Sequence, residues 1–266
     1  MAARRSLRFA ALGYLALLLA APVGMVFFRA FEKGIGPFFD ALTTPAAQHA
    51  FWLTLIVVAI AIPLNTAFGV GTALLLARGR FRGQALLDRL VDLPFAISPV
   101  VVGLALILVY GQDGWLGGSL EEAGIRVIFS TPGIVLATIF VSLPFVVREV
   151  LPVLREIGDE QEQAAATLGA SRWQAFWRVT LPAIRPAVIY GVVLATARAL
   201  GEFGAVSVVS GRIEGTTETA TLYVQNRFEG FDMTGAYAAA VLLALLGIGV
   251  LVALTVLSRR RSQHGY

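Results

Sequence analysis

The 266-residue sequence has no cysteine, two histidines and few charges. Without cysteine there can be no disulfide, no thiolate metal site and no cysteine nucleophile. His49 is expected in a loop and His264 in the tail, so a histidine metal site is not expected. Charged residues make up 14% of the chain, against about 25% in soluble domains. No Gly-x-x-x-x-Gly-Lys-Ser/Thr phosphate loop occurs, so the chain should not hydrolyse ATP itself. An intramembrane hydrolase would need a pair such as histidine and serine inside the apolar runs, and those runs hold serines without histidines. No internal repeat or low-complexity linker divides the chain, and 1–266 reads as a single transmembrane domain.

Apolar sequence is abundant: 57% of residues are hydrophobic and the mean hydropathy is +0.77. A membrane-spanning helix needs about 20 mostly apolar residues. Six runs qualify, Phe9 to Phe28, Ala50 to Ala77, Leu90 to Tyr110, Thr131 to Val147, Ala187 to Val209 and Ala236 to Leu257, which predicts an all-α, six-span membrane protein. The first run, preceded by Arg4, Arg5 and Arg8, could also be read as a secretory signal, but its length favours a retained helix.

Lysine and arginine placement sets the orientation. With the N-terminus in the cytoplasm, the inner side receives Arg4, Arg5, Arg8, Arg78, Arg80, Arg82, Arg89, Arg148, Arg155, Arg172, Arg178, Arg185 and Arg259 to Arg261. The outer side receives only Arg29, Lys33, Arg126, Arg212 and Arg227. Both termini are therefore expected inside. The isoelectric point near 9.8 reflects this topology and the contact with membrane lipid, with no role for nucleic acid. The inner connection from about 148 to 185 is the longest, and Gly111 to Ser130 and Gly211 to Gly235 are expected outside.

Prolines interrupt several runs. Pro63 and Pro144 read as packing kinks. "LPFAISPVV" carries Pro94, Pro99 and Ser98 within about one turn. It is either a kink or a broken segment lining a water-filled path, as non-helical backbone in a membrane requires.

The inner connection contains "GDEQEQAAATLGASRWQAFWRVTLPAIRP". Asp159 and Glu162 fit a capping box that opens a helix at Glu160. Gly169 ends that helix as a left-handed cap. Ser171 and Gln174 form a second box, and the next helix carries Trp173, Phe176, Trp177, Thr180 and Leu181 on one face. Pro182 falls where the chain is expected to turn toward the fifth span. Such a helix, glycine turn and helix suits either the inner leaflet surface or a groove on a soluble partner.

"QAAATLGASRWQAFWRVTLP" resembles the EAA motif of ABC-importer permeases, matching at Ala164, Ala165, Gly169, Leu181 and Pro182. It departs from the motif at its opening, where Gln163 stands in the usual glutamate position and Glu162 lies one residue earlier. Further stretches, "LPFAISPVVVGLALILVYG", "PGIVLATIFVSLPFVVREVLPVL" and "YGVVLATARALGEFGAVSVVSGRIEG", resemble the permease subunits of the sulfate/thiosulfate importer, and are closest to its W-type branch. The permeases for molybdate and tungstate are the nearest alternative. The resemblance implies a type I importer permease fold in a bacterial inner membrane and a heterodimer with a T-type permease. It also implies two ATPase subunits that use ATP and Mg, and an extracytoplasmic sulfate-binding protein. On this chain it implies an ATPase-coupling segment at Glu162, Gln163, Ala164, Ala165, Leu168, Gly169, Ala170, Ser171, Trp173 and Phe176, with no cofactor bound by the chain itself.

One run contains two charges. In "ARALGEFGAV", Arg198 and Glu202 stand four residues apart, beside a row of small residues, Ala197, Gly201 and Ala205. The two charges are expected to share a helix face and can pair. A structural pair and a place on the substrate path are both open readings. A path or gate built from the third and fifth spans would include Ser98, Pro99, Val100, Arg198, Glu202, Ser207 and Ser210.

Overall fold

The computed structural model describes residues 2–262, so His264 lies outside it. Among the described residues every regular element is helical. The chain opens with α1, Ala2–Phe31, a short α2, Ile35–Leu42, and α3, Pro45–Arg78, of 34 residues. Then come α4, Gln84–Val91, α5, Leu93–Ala96, and α6, Pro99–Tyr110. A short α7, Gly117–Glu122, leads to α8, Thr131–Ile157, and α9, Glu160–Thr167. Helix α10, Arg172–Ala175, runs through a π-helical stretch, Phe176–Thr180, into α11, Leu181–Leu200. The last three are α12, Gly204–Val209, α13, Ala220–Glu229, and α14, Met233–Ser262.

Among the described residues, five helical segments are long and apolar enough to cross a membrane: Gly13–Phe31, Pro45–Arg78, Thr131–Ile157, Arg172–Leu200 and Met233–Val252. The third expected span differs. Instead of one helix from Leu90 to Tyr110, the chain breaks at Asp92 and again at Ile97–Ser98, leaving 12 residues in α6. At 1.5 Å per residue that is about 18 Å, short of a bilayer core of about 30 Å. Pro94 and Pro99 each fall in the first turn of their helix, where a missing N–H does no harm, so the two prolines restart helices and do not kink one. Pro63 and Pro144 do lie inside continuous helices, as expected.

Two further boundaries move. Helix α8 continues ten residues past Val147, because Val150, Leu151 and Leu154 are buried and Arg148 is paired rather than solvated. Pro182 produces no turn. The helix widens before it, with the Leu181 N–H bonded to the Phe176 carbonyl. A π turn is one way to pass a proline that cannot donate to the fourth residue back.

Lipid is as apolar as leucine, so helices in a membrane associate by close packing and polar ties. Both occur around α8, which packs between α3 and α11. A Cβ on Gly69 of α3 would come within 2.7 Å of the Val146 Cβ, and one on Gly191 of α11 within 2.9 Å of the Val146 Cα. Asn65, fully buried in mid-α3, donates to Ser142 Oγ at 2.8 Å and to the Ile139 carbonyl at 3.1 Å. One apolar core joins α3, α8 and α11, and another joins α3, α6, α8 and α12.

Candidate functional site: an exposed turn and a pair of broken helices

The first site is the turn between α9 and α10. Gly169 has φ +86 and the Ala170 N–H reaches the Ala165 carbonyl at 3.0 Å, while the Gly169 N–H reaches that of Ala166 at 3.0 Å. These two bonds are the Schellman pattern, which needs a left-handed residue at Gly169's position. Ser171 and Gln174 form both bonds of the expected capping box. The expected box at Asp159 does not form: Asp159 caps nothing with its side chain, and Glu162 turns inward to Arg78 and Thr180. Reciprocal capping lost to a charge-assisted alternative, which is the stronger bond.

The rest of this segment faces outward. Gln163 and Ala164 are exposed, Ala165 and Ala170 half-buried, and Leu168 at the apex is 89% exposed. Beside the turn lies a concavity of about 320 Å³ lined by Ala165, Leu168, Gly169, Ala170, Gln174 and Arg178. Trp173, Phe176 and Trp177 form one ring cluster, with Trp173 against Phe176 at 6.1 Å and against Trp177 at 5.4 Å. Both tryptophans are largely exposed, whereas Thr180 is buried.

The second site is where α6 meets α12. The expected fifth span, Ala187 to Val209, is broken at Gly201–Phe203. Ala197, Gly201 and Ala205 therefore do not form a row on one helix. Ala205 is buried in the next element while Gly201 is exposed. Glu202 sits in the break. Its Oε2 lies 2.6 Å from the Arg198 guanidinium, and its Oε1 accepts from the Ala205 N–H at 2.8 Å. The Thr221 hydroxyl donates to its carbonyl at 2.7 Å. One carboxylate thus pairs with the helix behind it and caps the helix ahead, and both are needed where the chain leaves helical geometry inside the apolar layer.

Helix α12 lies directly on α6. A Cβ on Gly204 would come within 2.8 Å of the Pro99 Cβ, and one on Gly103 within 2.7 Å of the Val208 Cβ and 2.9 Å of the Ala205 carbonyl. The structure thus brings Ser98, Pro99 and Val100 beside the second break. Ser98 and Val100 are exposed. The later serines turn inward: Ser207 Oγ donates to the Gly204 carbonyl at 2.8 Å, and buried Ser210 Oγ accepts from the Arg212 N–H at 3.1 Å.

Sequence reasoning missed a third feature. Arg148 bonds both carboxylate oxygens of Asp92 at 2.7 Å, and Asp88 Oδ1 at 2.6 Å. This ties α8 to the corner between α4 and α5. Asp88 and Asp92 at four-residue spacing were the available signal, hidden by taking Leu90 to Tyr110 as one span. Arg78, placed by the sequence only among the inner-side arginines, likewise has inward partners.

Helices long and apolar enough to cross a membrane, two of them broken where they meet, with an exposed turn at one end, describe a multi-pass membrane protein. A model of the family described as "Binding-protein-dependent transport system inner membrane component" matches residues 66–263, and the chain belongs to that family. The sulfate transport system permease protein CysW of Synechocystis is 51% identical over 254 residues, covering 96% of this chain and 92% of that protein. CysT of Escherichia coli K12, also named a sulfate transport system permease protein, is 38% identical over 93% of this chain and 89% of its own. The fold is that of an ABC-importer permease. A chain of the bacterial alginate ABC transporter, solved with an alginate pentasaccharide-bound periplasmic protein, superposes with a TM-score of 0.82 at 20% identity, over 98% of this chain and 96% of that one.

Proposed function

We infer that the chain is one permease subunit of an ATP-driven importer that carries sulfate into the cytoplasm, with thiosulfate as a second substrate. The observation that carries the substrate is near-full-length identity of about half to a permease named for sulfate. A second permease of the T type completes the pathway, and an extracytoplasmic sulfate-binding protein delivers the anion. Two ATPase subunits, using ATP and Mg, drive the transport, and one of them docks on the Gly169 turn. The arginine distribution supports placing that turn, and both termini, in the cytoplasm.

The chemistry of the path fits a dianion that must be released. Arg198 is engaged by Glu202, so the pair presents little net charge. A strong anion trap in mid-membrane would impede release. Selection then falls mainly to the binding protein. In this reading Ser98 and Val100 line the path, and α6 and α12 slide or separate as its gate.

The test is ATP-dependent uptake of radiolabelled sulfate into proteoliposomes holding the two permeases and the ATPase, with binding protein inside or outside. Uptake that requires ATP and external binding protein, and that unlabelled sulfate competes better than molybdate, is expected. Preferential competition by molybdate would move the substrate to the larger oxyanion. Uptake driven by an ion gradient without ATP would overturn the importer class.

A further inference from the structure

Helix α9 carries the exposed turn, yet none of its residues is buried. Apolar packing therefore contributes little to holding it in place. Its side-chain tie to the spanning helices is one carboxylate. Glu162 Oε1 accepts from the Thr180 hydroxyl at 2.8 Å and from Arg78 Nη2 at 3.2 Å, and Oε2 accepts from Arg78 Nε at 3.3 Å. The same guanidinium donates to the Leu154 carbonyl at 2.8 Å and to the Gly158 carbonyl. Arg78 is the last residue of α3, Leu154 and Gly158 mark the end of α8, and Thr180 closes the π stretch that runs into α11.

We propose that Glu162 is a positioning residue for coupling: it clamps the turn-bearing helix to the ends of α3, α8 and α11 together, so that displacement of the turn moves three membrane-crossing helices as one body. Two further observations support this. The carboxylate is occupied on the inner side and is not offered to a partner, which leaves uncharged Gln163 as the exposed residue at the motif's opening. Arg78 uses its fork on two carbonyls and one carboxylate at once, geometry that a lysine ammonium cannot reproduce. The widened helix just before Pro182 places the Thr180 hydroxyl at the carboxylate, so the π stretch is part of the clamp.

The inference rests on the importer reading for what the displacement accomplishes, but its geometry can be tested without substrate. The chain lacks cysteine, so spin labels can be placed on cysteines introduced at exposed Arg80 and Thr167 in the assembled complex. A single narrow distance distribution is expected for the parent. It should broaden in Glu162→Ala and in Thr180→Val, which keeps volume and removes one hydroxyl, and it should narrow again in Thr180→Ser. Sulfate carried per ATP hydrolysed, normalised to assembled complex, should fall roughly tenfold in Thr180→Val, the scale of one lost bond to a charged group, and further in Glu162→Ala. Thr180→Ser should restore the parent ratio. Unchanged distance distributions in both disruptive variants, or a parent-like transport ratio in both, would overturn the clamp. So would loss of ATPase binding in Glu162→Ala with an unchanged distance, which would mean that the carboxylate serves the partner. Should Glu162→Ala fail to accumulate, Thr180→Val decides alone. A parent complex with a narrow distance but no ATP-dependent sulfate uptake would count against the sulfate importer and not against the clamp.

Discussion

Replacing Arg198 by methionine removes a charge and nearly keeps the volume, so the outcome depends on what the change leaves behind. The Glu202 side chain is 2% exposed and the Arg198 side chain 31%. The two halves of the pair are therefore unequal. Arg198→Met strands a carboxylate that has no route to water and keeps only its bond from the Ala205 N–H. Breaking a buried pair from one side costs about 3–5 kcal/mol, and that surviving bond puts the expectation near the lower figure, about 3 kcal/mol. Glu202→Gln leaves an arginine that already reaches solvent, and the glutamine oxygen can still cap α12. About 1 kcal/mol is expected there, in the range of partly exposed pairs. The double variant carries no stranded charge, so it should be milder than Arg198→Met alone. Glu202→Ala removes pair and cap together and should exceed Glu202→Gln by about the worth of a cap, ~1 kcal/mol.

The assay is thermal unfolding of the detergent-purified permease pair, with assembly and sulfate uptake scored separately. Order matters more than magnitude: Arg198→Met least stable, Glu202→Gln mild, the double in between or better. If Arg198→Met assembles with parent stability yet takes up no sulfate, and the double variant does no better, the pair is not structural and Arg198 belongs to the anion's path.

Gly169→Leu should insert and fold, because a left-handed non-glycine residue costs only about 1–2 kcal/mol and the space around Gly169 is open, yet it should reduce transport per ATP. Normal coupling in that variant, with normal ATPase binding, would leave only a leaflet-surface role for the turn. Gly103→Ala should destabilise the α6–α12 contact by about 1–3 kcal/mol through overpacking; Val208→Ala should not rescue it, since the clash is with the Val208 Cβ and the Ala205 carbonyl, and a rescue would mean that the contact is looser than described. Burial pushes the Glu218 carboxyl above the ordinary carboxylate value of 4.5, with Glu214 acting in the same direction against the Asn226 hydrogen bond and nearby Arg227 and His49. The folded chain then keeps a proton that the unfolded chain releases, so this group makes stability fall as pH rises from about 4.5 through the raised value. Glu218→Gln, whose oxygen can still accept from Asn226, should melt higher than the parent at pH 8 and converge with it toward pH 4; parallel melting profiles across that range would refute the assignment.

The long helices were legible because the apolar runs exceed bilayer thickness, and no tertiary context is needed to read that. The α9–α10 turn was legible for a different reason: Gly169, Ser171 and Gln174 act on backbone groups within a few residues. What escaped the sequence was whatever depended on a distant partner. Glu162 fits a capping box locally, and only the arrival of Arg78, 84 residues earlier, turns it inward. Leu90 to Tyr110 has the hydropathy of a span, and hydropathy cannot register that Arg148 pins Asp88 and Asp92 at its entrance. The fifth span read as one helix because Gly201 and Gly204 are as common in packed membrane helices as in breaks.

The two breaks share a physical logic that bears on movement. A helix that stops inside an apolar layer leaves unpaired backbone groups, and each must be satisfied by protein. At Gly201–Phe203 the Glu202 carboxylate and the Thr221 hydroxyl do this. At Ile97–Ser98 the Ile97 N–H reaches back to Leu93 and the Val102 N–H to Ser98. These bonds lie within each segment or come from Thr221, and none links one break to the other; the contact between them is glycine against proline and valine. Directional bonds resist sliding, whereas a flush contact of small and aliphatic groups does not. At the opposite end of α11, Thr180 is bound by a charged, three-way junction. Helix α11 is therefore gripped by directional bonds at its root, and α12, beyond the break, meets the α6 entrance through a contact that can shear, the arrangement expected of a lever that must turn a gate without breaking it.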